Sequence, residues 1–206
     1  MNKLTRRAFG AAGFALMLAT SASFAQQTPP VRVRGEITKI EGDVLDIKSR
    51  TGETLKLKLV DPGRVTAMVK AALSDIKVGS YIGVTAIPQA DGSQKAIGIH
   101  IFMESQRGLA EGFRPWDREP NSTMTNAAVE STVAGVDGQT IMVKYKDGEK
   151  KVIVPANCPI VAYQPGTKAD LKVGAHVFIV AATKQPDGSL TSQGISVGRD
   201  GVVPPM

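Results

Sequence analysis

Six side chains able to hold a metal are scattered through the 206 residues: His100, Met103, Glu104, Met124, Cys158 and His176. Structural and catalytic metal sites need three or four such donors converging, and their ligands usually stand at short, recognisable spacings. None of the six forms a ligand pair of that kind. His100 and Glu104 are the closest approach to one, and they are the metal candidate. Nucleophilic catalysis needs a Ser or Cys beside a base and an orienting acid, and two histidines with one cysteine give few combinations, so no catalytic residue is nominated.

Glu111, Asp117 and Glu119 offer carboxylates for acid and base work. They alternate with Arg107, Arg114 and Arg118, a pattern that suits a salt-bridged loop better than a reactive pair. Within the same stretch Arg114, Trp116 and Asp117 place a cation, an aromatic plate and an anion inside four residues. That combination suits recognition of a protein or a polar ligand, and these three are the binding candidates. The competing role is a clamp that holds two domains together, favoured because tryptophan is costly to leave in water and a long loop is usually functional or docked.

The elements that must position these residues come in two copies. Val31 to Ile40, Val44 to Lys48 and the alternating Leu55, Leu57, Leu59 read as a three-stranded meander with lysines on its solvent face. After Asp61-Pro62-Gly63, Val65 to Leu73 reads as a strand followed by a turn, with a strand leading into a short helix or one helical segment as the alternatives. Asp75 to Gly79 then launches Tyr81 to Ile87, and Asp91-Gly92 turns the chain into Ala96 to Phe102. The same roles recur at a constant offset, with Val133, Val136, Ile141 and Val143 answering Ile37, Ile40, Leu45 and Ile47. Asp170 to Gly174 answers Asp75 to Gly79, and Asp187-Gly188-Ser189 answers Asp91-Gly92-Ser93.

This pattern predicts an all-β chain of two tandem antiparallel barrels, OB-like, with SH3-like barrels or an open sandwich as the runner-up. The expected units are 31–103 and 127–200, joined by a structured connector over 104–126 and followed by a tail at 201–206.

Lys3, Arg6 and Arg7, an apolar run from Ala8 to Leu18 and Ser23-Phe24-Ala25 give residues 1–25 the form of a signal peptide cleaved before Gln26. Both the general secretory and the twin-arginine route fit Thr5 to Phe9. A periplasmic location is expected, with no membrane span after the signal is removed. The signal carries three of the +6 formal charges, which leaves the remainder only mildly basic. No strand interleaves aromatics with cations, so nucleic acid is not expected as a partner. One cysteine permits no internal disulfide, and an apolar content of 42% is enough for the cores to supply the stability instead.

The unit defined by Gly35-Glu36-Ile37, the Asp-Leu-Lys-Val-Gly element at 170–174 and the Asp-Gly-Ser hairpins resembles the uncharacterised bacterial DUF5666-type domain. The whole chain is similar to a family of exported proteobacterial proteins through Arg107 to Gly112, Arg114 to Asp117, Ser122 to Asn126 and Gly198 to Met206. The resemblance implies an OB-like fold and brings no established activity. The metal-transporter permease label sometimes attached to that family conflicts with a chain that offers no run of spanning helices. Phe113 stands where the family pattern often has His, which weakens a metal role there. The expectation is a binding or scaffolding module for an unknown protein or polar ligand, without a cofactor. Metal handling is the first alternative, and an enzyme using the connector carboxylates the second.

Overall fold

The computed structural model describes residues 29–135 and 138–206. Residues 1–28, on which the expected signal peptide falls, and the Val136-Asp137 pair lie outside them. Among the described residues there are twelve strands, three short 3-10 turns and no helix long and apolar enough to cross a membrane. The all-β expectation holds.

β1 (Val31–Glu41), β2 (Val44–Ser49) and β3 (Thr54–Lys70) form the expected meander. Gly42 takes a φ of 61° in the first turn, where a side chain would be strained. Leu45, Ile47, Leu57 and Leu59 are buried, while Lys48, Lys56 and Lys58 stay in water. The alternation therefore works as read.

Asp61-Pro62-Gly63 does not break β3. The strand continues to Lys70, and the extra residues bulge: β3 advances from Leu59 to Arg64 while its parallel partner β12 (Leu190–Gly198) advances only from Ser192 to Gly194. A bulge tolerates proline because the missing N–H is not needed for the ladder. β3 pairs with β12 from Leu57 to Met68, and from Thr66 to Lys70 it also pairs with a strand outside the meander and β12. β3 consequently delivers the chain to a different group of strands.

That delivery sets the topology. β1, β2, β3, β12 and β11 (His176–Lys184) close into a five-stranded barrel, with β1 antiparallel to β11 and β3 parallel to β12. β4 (Tyr81–Pro88) and β5 (Gln94–Ile101) join β7 (Thr123–Gly135), β8 (Gly138–Tyr145) and β9 (Gly148–Pro155) in a second circuit. A short parallel contact closes it, Gln94 against Val152 and Lys95 against Ile153. Each ring thus takes three strands from one repeat and two from the other. The tandem expectation is corrected in this respect: 31–103 and 127–200 do not each close on themselves, because β4 and β5 complete the ring begun by β7, β8 and β9.

The repeat itself needs one adjustment. Ile37 pairs with Ile47 and Val129 pairs with Val143, so Val129 occupies the place of Ile37. Burial agrees, since Ile37 and Val129 are enclosed and Val133 is 62% exposed. The expected offset fits the positions along β2 and β8 and not those of the strand before them.

β10 (Ile160–Pro165) crosses between the rings, antiparallel to β3 and parallel to β5. Two parts of the connector are built onto the second ring: β6 (Gly112–Pro115) pairs with β7, and Thr123 to Asn126 already belong to β7. Two apolar cores fill the rings, and a third lies between them, formed by Met68, Met124, Val161, Phe178 and Met206 with Trp116 and Tyr163 against it. The C-terminal Pro204, Pro205 and Met206 are buried there, and Arg34 Nε donates to the Met206 oxygen at 2.7 Å.

Candidate functional site

The antiparallel contact of β3 with β10 sets Tyr163 opposite Met68 and Gln164 opposite Ala67. In the expected repeat Ala67 answers Tyr163 and Met68 answers Gln164, and the register accords with it, since each faces the counterpart of the other. Beside it β5 and β12 present equivalent positions, His100 against Val161 and Ser196 against Thr66. A cleft of about 1020 Å³ opens over this junction, roomy enough for a small organic molecule.

The backbone is repeated around the cleft and the side chains are not. On the second ring Gly83 stands opposite Asn126; on the first the equivalent pair is Phe178 opposite Arg34. Phe178 fills its half with a ring. Gly83 leaves the matching space open, and the imidazole of His100 lies in it: a Cβ at Gly83 would run into His100 Cε1 and Nε2 and come within 2.8 Å of Asn126 Oδ1. The polar half of the cleft exists because residue 83 has no side chain.

His100 and Asn126 are enclosed, at 3% and 4% exposure, yet His100 Nδ1 and Asn126 Oδ1 have no hydrogen-bond partner. Buried polar atoms are normally paired, and an orphan costs about 1–3 kcal/mol. Asn126 spends its amide N–H on the Leu109 carbonyl at 3.1 Å, and Tyr81 donates to the same oxygen at 3.2 Å. The Phe102 and Tyr163 rings pack on the imidazole at 4.6 and 5.2 Å. Burial, assisted by the positive charge of Arg114, pushes the His100 pKa down to about 3. The ring is neutral at pH 7, with one nitrogen to donate and one to accept.

Arg114 comes from β6 at the mouth of the cleft. It is half-buried, donates to the Ala110 carbonyl at 2.8 Å, and forms no ion pair with a carboxylate among the described residues. Burial first and the charge of Arg32 second lower its pKa, which marks a cation short of a counter-charge. Its guanidinium lies 5.7 Å from the ring centre of Trp116.

Of the sequence candidates, the cleft gathers Arg114, Trp116 and His100. Asp117 points to β1 instead, accepting from Arg34 at 2.7 Å with Arg32 at 3.5 Å. Partial burial works against its charge, but the Arg34 hydrogen bond and the two arginine charges outweigh it and hold the carboxyl below the usual range. Glu104 is bound to Arg107 at the surface while His100 is enclosed. Glu111 accepts from the Lys146 backbone, so it and Asp117 have separate partners rather than a shared proton. Burial pushes the half-buried Cys158 thiol up to about 12, which keeps it protonated at neutral pH. Among the described residues no three His, Cys, Asp or Glu side chains come together as a metal-holding group.

Sequence reasoning missed Gly83, Asn126, Arg34 and Tyr163. A signal for Gly83 was present, since aligning β4 with β11 sets a glycine against a phenylalanine. No family model, curated protein or solved structure matches the chain.

Proposed function

We propose that this chain is an exported binding module that holds a small polar ligand in the cleft between two OB-like rings. The observation that carries the reading is the enclosed pair His100 and Asn126, two residues that line a space of ligand size and each keep a buried polar atom without a partner. The OB-like description rests on strand order: β1-β2-β3-β12-β11 and β7-β8-β9-β5-β4 run in the same sense, each with a parallel contact between the third and fourth strands of that order, β3 with β12 and β9 with β5. The resemblance to the DUF5666-type domain accords with that order. A periplasmic location follows from the signal-like character of residues 1–25, and intact-mass analysis of exported material starting at Gln26 tests it.

The binding reading is tested by recording amide shifts while neutral, cationic and anionic fragments are added to the mature chain. Shifts clustered at His100, Asn126 and Tyr163 are expected. Shifts confined to the outer faces of the rings, or none, would remove the cleft from consideration.

A further inference from the structure

The cleft's charge and its missing partners define a class of ligand. Its lining includes the side chains of Arg64, Arg107 and Arg114 and no Asp or Glu side chain. Arg107 is neutralised by Glu104, while Arg114 is half-buried without a carboxylate partner among the described residues. A partly desolvated guanidinium is satisfied best by an oxyanion, which accepts its N–H groups in a fork-like geometry. Deeper in, Asn126 Oδ1 has no hydrogen to offer and no donor to accept from, so what completes it must bring an O–H or N–H. The Phe102, Tyr163, Phe178 and Trp116 rings along the cleft give a flat apolar body surfaces to pack on.

We propose that the cleft takes an organic oxyanion whose apolar or aromatic body also carries a hydroxyl or N–H donor, with the anion at Arg114 and the donor at Asn126. The assignment rests on the cleft being a binding site, and it narrows that reading to one charge and one polarity.

Trp116 is the single tryptophan and lines the cleft, so its fluorescence reports occupancy. Five probes separate the contributions: 4-hydroxybenzoate, benzoate, phenol, tyramine and sulfate, each titrated into the full mature chain with calorimetry as the second readout. The expected order is 4-hydroxybenzoate above benzoate, benzoate above phenol, and tyramine weakest, since it carries the same ring and hydroxyl with the opposite charge. Arg114→Gln should weaken the two carboxylates about tenfold and leave phenol unchanged, with Arg114→Lys recovering part of the loss.

Phenol or tyramine binding as tightly as 4-hydroxybenzoate would overturn the anion assignment while leaving the cleft as a binding site. Sulfate matching the aromatic acids would overturn the organic body. Benzoate matching 4-hydroxybenzoate would overturn the donor at Asn126. Silence from all five probes would overturn the assignment, and the binding reading falls separately if the wider fragment set also leaves the cleft unmoved. The probe ranking uses the unaltered protein, so it decides the charge question even where Arg114→Gln lowers stability.

Discussion

The guanidinium of Arg32 lies over Trp116, 4.0 Å from the ring centre, and Asp117 beside that tryptophan pairs with both Arg32 and Arg34. β1 of the first ring is thereby fastened to a connector whose β6 strand is paired into the second. Phe178 of β11 meets the indole in an edge-type contact, with ring centres 6.4 Å apart. The clamp and the recognition loop are not alternatives in this geometry, because the residue that bridges the rings also lines the cleft.

Trp116→Ala should therefore cost about 2–3 kcal/mol, below the full value for a core tryptophan since the indole is only half-buried. Trp116→Phe should recover most of it. Chemical denaturation followed by circular dichroism measures both, and a loss within about 0.5 kcal/mol would mark the indole as an ordinary surface group. Because strands are exchanged between the rings, melting should remain one cooperative transition in the variant.

Acid stability gives a second reading of His100. An unfolded histidine titrates near 6.5, and burial holds the folded one at about 3. Between these values the unfolded chain binds a proton that the folded chain refuses. Stability is thus fully present above about 6.5 and is lost as the pH falls toward 3, with a slope of up to about 1.4 kcal/mol per pH unit. His100→Asn, which never charges, should show a shallower decline than the unaltered protein between pH 7 and pH 4. Asp170, held at about 2 by its Arg199 hydrogen bond, adds an acid-labile contribution that both proteins share. Equal slopes would place His100 in contact with solvent.

What the sequence displayed was whatever depends on neighbours along the chain. Leu45, Ile47, Leu57 and Leu59 show their face by alternation, and Gly42 and Gly92 mark turns by their type. Which ring a strand completes depends on where β3 ends, and that hinged on whether Asp61-Pro62-Gly63 turns the chain or bulges it. Local chemistry permits both. The cleft was only half legible for the same reason: Arg114, Trp116 and His100 drew notice by residue type, but Gly83 acts by lacking a side chain and Asn126 by standing opposite it across two strands that are far apart in sequence.

Gly83→Ala tests whether that absence holds the site open. The backbone at Gly83 does not require positive φ, so the effect comes from the added methyl alone. It meets the His100 ring and must displace it, an overpacking that costs about 1–3 kcal/mol. Stability should fall by that amount and the imidazole proton resonances should shift. A variant as stable as the parent with unmoved His100 signals would show that the cavity wall has slack.

The strand exchange makes the strongest claim about folding, and a cut in the connector tests it. Gly108 is exposed between the repeats, so cleavage after it yields fragments 29–108 and 109–206 without removing a strand. In the first fragment β1-β2-β3 lacks β11 and β12, and β4-β5 lacks β7, β8 and β9, so the apolar faces of Ile37, Leu45, Ile82 and Ile99 lose their covers. The second fragment is deficient in the complementary way. Each should be poorly structured as a monomer, and mixing them should restore the strand signal of the intact chain as a one-to-one complex. A tandem arrangement requires the opposite, two fragments that each melt cooperatively alone and ignore one another on mixing. Size-exclusion chromatography with circular dichroism separates the cases, and a folded, non-associating 29–108 monomer would refute the exchanged topology.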